Sequence, residues 1–340
     1  MSQSTRRGRA AGKRSQAEAR MVPDAEIRTY YDRPVLKEPV WKAYIPTYFL
    51  TGGLAAGSSL LAFGSALSGR SALARRSRLL ALGAVGASAA ALVADLGRPE
   101  RAHHMLRVAK VTSPMSVGSW LLAAYGPVAG AAAGADLLGM PRGIERAADA
   151  AGATLAPVFA CYTAVLVSDT AIPVWHEAHA DLPFVFAAGA AASAGGLGVV
   201  LAPPGETRPA RRMALAGAVG ELVAVKRMER RLGELAEPYS RGRAGGLSKA
   251  ATLVTAAGAA LLALGGRRRA VAAAGGLLTM AGSALERFAV FEAGRQSARD
   301  PRYTVGPQRR RLTSSATASA TPEPVTRQNQ STASNSQRRA

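Results

Sequence analysis

Residues 182–201 read LPFVFAAGAAASAGGLGVVL, a run of 20 positions without a charged side chain. An α-helix needs about 20 apolar residues to cross the ~30 Å hydrocarbon layer of a bilayer, so this run predicts a membrane-spanning helix. Seven further apolar runs lie on either side of it, at approximately Tyr44–Leu67, Leu79–Leu96, Val117–Leu138, Gly152–Ile172, Met213–Val225, Ala250–Leu264 and Val271–Ala289. The sequence therefore predicts an all-α polytopic transmembrane helical bundle of about eight helices.

Polar segments flank the apolar runs at both ends of the chain. Residues 1–39 form a basic arm that is predicted to be disordered or bound to a partner, and residues 297–340 form a polar tail predicted to be disordered. Residues 40–296 then make up the transmembrane domain. Arg-rich turns recur in the first and last hairpins, at Gly69–Arg76 and Gly265–Arg269. This internal similarity indicates two related four-helix halves, although composition alone could produce it.

Two features concern how the helices pack. The sixth and seventh runs are short for a span, and flanking polar residues could extend them. Small residues recur on single helix faces, which favours close helix packing in lipid. They occur at Gly53 and Gly57, and at Gly126, Gly130 and Gly134.

The charge and the metal-ligating residues limit the function. The net charge is +21, but the basic residues flank apolar runs, so we expect contact with lipid headgroups and no nucleic-acid binding. A single Cys161 cannot form a disulfide framework or hold an iron–sulfur cluster. The histidines lie in loops or at helix ends, so no haem is expected in this chain either. A redox role would need a diffusible carrier and a partner that supplies the metal centres.

The distribution of Lys and Arg bears on orientation. The two sets of loops carry nearly equal numbers of basic residues, and the near-membrane parts of the termini tip the balance to cytoplasmic termini. The Arg- and Ala-rich composition is compatible with a high-GC bacterium. We therefore expect a multi-pass protein of a bacterial cell membrane.

The densest polar cluster follows the second run. Residues 95–120 read DLGRPERAHHMLRVAKVTSPMSVGSW, in which Arg101, His104 and Arg107 would share one face of a short helix. One interpretation is an interfacial helix whose cations meet lipid phosphates, with Trp120 at headgroup depth. The other is a pocket at the membrane edge for an amphipathic molecule with carbonyl or hydroxyl groups.

A second cluster, residues 168–181, ends the fourth run on the same side of the predicted bundle. Asp169 lies near the end of an apolar span, where an ionisable group is costly and suggests a function. His176 and His179 have Glu177 between them and match zinc motifs poorly, which favours structural or proton-transfer roles over a metal site.

Two glutamates fall inside the later spans. Glu221 interrupts the sixth run and is either part of a buried proton path or paired with Arg212 or Lys226. Glu286, near the end of the eighth, is expected to pair with Arg287.

Several of these stretches resemble the NrfD/polysulfide reductase membrane-subunit family. Residues 95–120 resemble the family signature, and residues 41–57, WKAYIPTYFLTGGLAAG, resemble its first helix. Residues 162–177 and 291–302 also fit members of it, so the resemblance covers roughly residues 39–305.

The resemblance implies an integral subunit that exchanges electrons between membrane quinone and an iron–sulfur protein. The quinone would be menaquinone or ubiquinone as a diffusible substrate, with no haem and no iron–sulfur cluster in this chain. The implied partners are a four-cluster ferredoxin-like subunit and a molybdopterin catalytic subunit, as in formate dehydrogenase or polysulfide reductase. The catalytic partner decides the terminal substrate.

The resemblance also implies where quinone binds. The pocket would be formed by the start of helix one, the loop after helix two and helix four, with Trp41, Tyr44, Tyr48, Trp120, Tyr162 and Asp169 as candidates. Some members place a histidine at the start of helix one. This chain has none there, so Tyr44 or His104 would hydrogen-bond the quinone. Arg98, Arg101 or Arg107 would stabilise developing negative charge, and Asp95 or Asp169 would exchange protons.

Three alternatives remain. A small-molecule transporter would require polar groups near the midplane of both halves, whereas the polar residues here collect at helix ends. A proton-translocating energy-coupling subunit would need a polar chain across the membrane, with Glu221 as its main candidate. The third alternative is a passive anchor for peripheral enzyme subunits.

Overall fold

A computed structural model describes residues 35–265 and 268–308 of the 340-residue chain. Eight long helices make up most of these residues, which contain no strand. They are α1 Tyr44–Leu67, α2 Ser71–Asp95, α3 Pro114–Leu137, α4 Arg142–Ser168, α5 Leu182–Leu201, α6 Thr207–Leu232, α7 Gly242–Leu264 and α8 Arg269–Arg299. Four short helical segments lie between them: Pro99–Leu106, Pro173–Glu177, Pro204–Glu206 and Gly233–Tyr239. The predicted all-α polytopic bundle is confirmed.

Five of the long helices are both long and apolar enough to cross a membrane: α1, α2, α4, α5 and α7. The other three, α3, α6 and α8, have 24, 26 and 31 residues, so each reaches the length of a span. In α6 and α8 the apolar stretch is interrupted by the glutamates that the sequence marks, Glu221 and Glu286.

The two runs that look short in the sequence are full-length helices. The sixth run starts at Met213, but α6 begins at Thr207, and the seventh run starts at Ala250, but α7 begins at Gly242. A basic side chain explains part of the extension of α6, because it bonds to a carbonyl group that ends a neighbouring helix. Arg211 Nη2, before the apolar run of α6, donates to Ala263 O of α7 at 2.9 Å.

Consecutive helices pack as antiparallel pairs, most extensively α1 with α2, α5 with α6 and α7 with α8. The first four helices meet the last four mainly where α5 packs on α1 and α4. At this junction Gly57 of α1 lies directly against Ala190 and Ala194 of α5, where a Cβ would collide with the backbone. The predicted close packing of Gly53 and Gly57 is therefore confirmed.

The glycine series on α3 behaves differently. A Cβ at Gly126, Gly130 or Gly134 would meet nothing within 4 Å, so this face packs on no other helix within the described ranges. The prediction of tight packing is wrong for this series. Small residues permit close approach, but only a facing helix produces it.

We call the end of the bundle at which α1, α3, α5 and α7 begin the entry end, and the opposite end the far end. At the far end of the first four helices, Arg78 of α2 is buried among carboxylates of α3 and α4. Its Nε and Nη2 atoms donate to the two oxygens of Asp149 at 2.9 and 2.6 Å, and its Nη1 atom donates to Asp136 at 3.0 Å. This buried cluster joins three helices, and sequence reasoning did not identify it.

The residues that the structure describes include only part of the predicted polar termini. Within the described ranges, the compact unit that holds the eight helices extends to Tyr303, and residues 304–308 belong to a separate unit. Helix α8 continues to Arg299, past the predicted end of the transmembrane domain at residue 296. Residues 1–34 and 309–340, to which the predictions of a basic arm and a polar tail mainly refer, lie outside the described ranges.

Candidate functional site

Three segments outside the long helices converge at the entry end around the start of α1. They are residues 35–43 before α1, the loop 96–113 between α2 and α3, and the loop 169–181 between α4 and α5. Side chains from α1, α2, α3 and α4 close the space beneath the first two. The result is a cavity of about 180 Å³ that opens at the entry end.

Most of the cavity wall is apolar, and four polar side chains interrupt it. The apolar part includes Ile45, Leu92, Met105, Met115 and Leu166. The polar side chains are Tyr48, Asp95, Ser119 and Tyr162, and Trp41 adds an aromatic edge. A few polar groups in an apolar cavity are typical of a small-molecule site.

Tyr162 of α4 forms the inner wall and is held in place by α3. Its hydroxyl donates a hydrogen bond of 2.5 Å to Pro114 O, at the first turn of α3. The ring lies against Gly118, where any Cβ would occupy the position of the phenol. Because α3 has a glycine at this position, the tyrosine can cross the helix surface and reach the cavity.

Tyr48 of α1 is buried and lines the same cavity. Within the described ranges no group hydrogen-bonds to its hydroxyl, so this oxygen is free to bind a ligand. Tyr44, one turn earlier, is 46% exposed and does not line the cavity. The structure thus brings Tyr48 to the cavity, whereas the sequence argument selects Tyr44 as the quinone ligand.

Asp95 ends α2 at the mouth of the cavity. Its Oδ1 atom accepts a hydrogen bond from the backbone amide of Lys42 at 3.1 Å, which attaches the segment before α1 to the end of α2. Its Oδ2 atom has no hydrogen-bond partner within the described ranges.

The segment before α1 is fixed on its other side by an ion-pair cluster. Glu38 accepts hydrogen bonds from Arg295 at 2.6 Å and from Arg299 at 2.7 and 2.9 Å, both at the end of α8. Hydrogen bonding to the Arg299 guanidinium, helped by Arg295, holds the pKa of Glu38 below its usual value, although burial opposes this lowering. Trp41 stacks on the buried Trp175, with ring centroids 5.8 Å apart. These contacts hold Trp41 in the cavity wall.

The loop after α2 places its basic residues outside the cavity. Arg98, Arg101, His104 and Arg107 are all exposed on or beside the Pro99–Leu106 turn. Trp120 is 43% exposed, and its indole N–H donates to Val108 O at 3.3 Å. These residues form an exposed basic surface beside the cavity mouth, as the interfacial-helix interpretation expects.

The loop after α4 does not contribute its predicted carboxylate to the cavity. Asp169 is exposed at the end of α4, away from the lining residues. The buried carboxylate of this loop is Asp181, which pairs with Arg227 at 3.2 Å and Arg231 at 2.5 Å on α6. In the part of the chain that the structure describes, no group of three or more His, Cys, Asp or Glu side chains could hold a metal ion.

Glu221 lies in the interior of the last four helices and not at the cavity. It accepts hydrogen bonds from Arg287 at 3.1 Å and Ser283 at 2.9 Å, both on α8. The alternative that paired Glu221 with Arg212 or Lys226, and the expected pairing of Glu286 with Arg287, are therefore wrong. Helix α8 turns Arg287 toward α6, which leaves Glu286 Oε1 buried without a partner within the described ranges.

Sequence reasoning missed several cavity residues, including Ser119 and the methionines Met105 and Met115. Ser119 lies inside the recognised motif, directly before Trp120, but only the path of α3 decides which of the two faces inward. Tyr48 lies four residues after Tyr44, on the same helix face. That spacing could have suggested it as the deeper of the two.

A comparison with protein families matches residues 34–213 to the family described as polysulphide reductase, NrfD. The match covers more than half of the chain and includes every residue that lines the cavity. It ends inside α6, before α7 and α8. A comparison with curated proteins gives no significant match.

Proposed function

Since the chain belongs to the polysulphide reductase NrfD family, we propose that it binds membrane quinone in the entry-end cavity and exchanges electrons with an iron–sulfur partner subunit. Family membership implies a membrane subunit of quinone-linked oxidoreductase complexes. The site, the quinone chemistry and the identity of the partners are the proposal.

One observation carries it: a cavity at the end of apolar helices with an unpartnered phenol in its wall. Its volume of about 180 Å³ is below the ~300–1,000 Å³ of sites that enclose drug-sized ligands. It suits a single ring whose isoprenoid tail remains among the helices or in lipid. The flexible side chains of Met105 and Met115 can adapt to ring substituents.

Quinone reduction needs groups that stabilise developing charge and groups that supply protons, and the cavity wall offers both. A quinone that becomes a quinol gains two electrons, from the partner's clusters, and two protons. Tyr48 donates its hydroxyl proton in a hydrogen bond to one carbonyl oxygen and favours the charge that develops there. Asp95, at the mouth, relays one proton from water to this oxygen through Oδ2, and the other quinone oxygen takes the second proton from water at the cavity mouth.

The exposed basic surface has a separate role in this proposal. Arg98, Arg101, His104 and Arg107 attract an acidic face of the iron–sulfur subunit, which docks over the cavity mouth. The partner's clusters are then close to the quinone ring. A molybdopterin subunit of the formate dehydrogenase or polysulfide reductase type completes the complex, in a bacterial cell membrane with cytoplasmic termini.

The experiment replaces the two candidate aspartates, Asp95 and Asp169, one at a time in the assembled complex. Asp95→Asn should lower quinone-linked turnover by roughly 10²–10⁴-fold, the usual contribution of an acid–base group, whereas Asp169→Asn should change it little. Turnover with a soluble dye, which bypasses quinone, reports assembly. Equal quinone-linked turnover in the Asp95→Asn variant and the wild type would falsify the site.

The partners require a test of their own. Purification of the complex through a tag on this chain should retain iron, acid-labile sulfide and a molybdenum pterin. Their absence from a preparation that still turns over quinone would contradict the proposed assembly.

A second candidate function, proton translocation, is favoured by the buried cluster of α6 and α8. Glu221 Oε2, Glu286 Oε1 and Arg287 Nε are all buried without hydrogen-bond partners within the described ranges. Such atoms in a bundle core are typical of proton-carrying sites. In proteoliposomes, Glu221→Gln should abolish proton movement and leave quinone turnover intact. Quinone turnover without any transmembrane proton movement in the wild type would exclude this function.

A further inference from the structure

One wall of the entry-end cavity is held by a helix that does not reach the cavity. No residue of α8 lines it, and α8 lies outside the residues matched to the family. Trp41 does line the cavity, and the residue on which it stacks, Trp175, hydrogen-bonds to α8. Trp175 therefore connects α8 to the cavity wall.

The contact between Trp175 and α8 is specific. Trp175 is fully buried, and its indole N–H donates to Val290 O at 2.7 Å. Gly294 follows Val290 by one helical turn, and a Cβ at Gly294 would overlap the indole ring. Because α8 has no side chain at this position, the indole can lie on the helix surface and reach the carbonyl oxygen.

The segment before α1 is thus held by α8 at two points. Glu38 is bound directly, because Arg295 donates to it at 2.6 Å. Trp41 is bound indirectly, through Trp175, which also contacts Phe291 of α8 with ring centroids 6.1 Å apart. The direct contact fixes the backbone three residues before Trp41, and the indirect contact fixes the Trp41 ring.

Helix α8 is itself anchored one turn before Val290. Arg287 Nη2 donates to Phe186 O of α5 at 2.9 Å, and Arg287 Nη1 donates to Glu221 of α6 at 3.1 Å. The guanidinium also lies 4.3 Å from the centroid of the Phe186 ring. The carbonyl group to which Trp175 bonds is therefore held in place by two other helices.

We infer that Trp175 is a positioning residue through which α8 fixes Trp41 in the wall of the cavity. Trp175 does not line the cavity, so it affects how well the wall fits a quinone ring and not the proton chemistry at Tyr48 and Asp95. A wall that is already fixed lowers the entropic cost of binding. The effect on quinone rests on the proposed function, whereas the effect on Trp41 does not.

A graded pair of variants tests Trp175 in the assembled complex, with a quinol that carries a decyl tail. Trp175→Phe keeps a ring for the stack and removes the N–H donor, and Trp175→Leu removes both. Trp175→Phe should raise the quinol KM roughly threefold to tenfold, the value of one hydrogen bond, and Trp175→Leu should raise it further. In both variants kcat should stay within about twofold of wild type, and dye-linked turnover should report normal assembly.

A substitution on α8 tests the same contact from the other side. Gly294→Ala should raise the quinol KM at least about fivefold, because the added methyl group displaces the indole. Gly130→Ala on α3 is the matched control, since a Cβ there meets nothing within 4 Å, and it should leave the KM unchanged.

A double-mutant cycle shows whether the effect passes through Trp41. In a Trp41→Leu background, Trp175→Leu and Gly294→Ala should change the quinol KM by less than about twofold, because the ring that they position is gone. A full effect of either substitution in that background would overturn the inference, since it would mean that Trp175 supports the structure in general.

Hydrogen exchange measures the position of the segment without quinone. The Lys42 amide donates to Asp95, so a displaced Trp41 should speed its exchange, by roughly fivefold or more in Gly294→Ala. Faster exchange in a complex that does not turn over quinone would support the positioning role and reject the proposed quinone function. Normal quinone turnover, with KM and exchange unchanged in Trp175→Leu and Gly294→Ala, would reject the positioning role alone.

Discussion

The entry-end cavity has a counterpart in the second half of the bundle, a space lined by the end of α6, the turn Gly233–Tyr239 and the first turns of α7, which we call the α6–α7 groove. The cavity uses the end of the second helix, the turn after it and the start of the third, and the groove uses the same parts of the sixth and seventh. The linings nevertheless differ. Tyrosines and methionines line the first, and paired ions line the second. Similar helix arrangements therefore offer space in both halves, and the side chains decide what each space can bind.

The second difference is in how tightly the fourth helix of each half closes the space. In the first half, Tyr162 of α4 crosses α3 at Gly118 and reduces the cavity to about 180 Å³. In the second half, no side chain of α8 lines the groove, which has about 700 Å³. The smaller space suits a ring.

The largest expected effect comes from changing the glycine that admits Tyr162. Gly118→Leu should lower quinone-linked turnover by more than about 100-fold, because the new side chain displaces the Tyr162 ring into the cavity. Gly246→Leu, on α7, is the matched control, since a Cβ there meets nothing within 4 Å. Dye-linked turnover verifies assembly. Similar quinone-linked turnover in the two variants would show that the cavity is not the reaction site.

The next effect distinguishes the two tyrosines of α1. Tyr48→Phe should reduce the quinone kcat/KM by roughly tenfold, the value of one hydrogen bond to a charged acceptor. Tyr44→Phe should reduce it by less than about twofold, because Tyr44 does not line the cavity. Steady-state kinetics with a short-chain quinol measure both. A larger reduction in kcat/KM for Tyr44→Phe than for Tyr48→Phe would indicate that Tyr44 is the ligand.

A smaller effect is expected from the ion-pair cluster of Glu38. Glu38→Gln loosens the segment that holds Trp41 and should raise the quinone KM roughly two- to fivefold, as expected for a partly exposed ion pair. The pKa of Glu38 is lowered in the folded protein, so its contribution is present above 4.5 and is lost as the pH falls through the lower folded value. The difference between variant and wild type should therefore be constant near neutral pH. A KM difference that changes between mildly acidic and neutral pH would contradict this assignment.

The smallest expected effect is that of a substitution in the groove on quinone turnover at the cavity in the other half. Lys249→Ala should leave the quinone kcat/KM of the assembled complex within about twofold of wild type, because the groove and the cavity share no lining residue. A loss comparable to that of Tyr48→Phe would mean that the groove acts on the cavity, and the two spaces would no longer be separate sites.

The sequence predicts the bundle because runs such as residues 182–201 are long and uncharged, a property that depends only on local composition. The loop after α2 and the start of α1 are also predictable as the polar rim, since their residues are contiguous in the chain. The start of α6 is not predictable, because Arg211 bonds to a carbonyl group of another helix, α7. Pairings such as Glu221 with Arg287 depend on helix rotation, which sequence spacing does not specify.

The same limit applies to the site residues. Trp41, Asp95 and Tyr162 line the cavity, and each lies within about two helical turns of a segment boundary at the entry end. The basic residues of the loop share a motif with cavity residues but face outward. A motif shows which residues occur together in the sequence. Which of their side chains face the cavity depends on how the neighbouring helices pack.

The stacked Trp41–Trp175 pair has an optical consequence. The chain has three tryptophans, Trp41, Trp120 and Trp175, and all of them are at the entry end. Intrinsic emission therefore reports on that end alone, without engineered labels. The near-parallel rings, inclined by 25°, should also couple their electronic transitions and give a near-ultraviolet circular dichroism signal. Loss of that signal would reveal movement of the segment before α1 in real time.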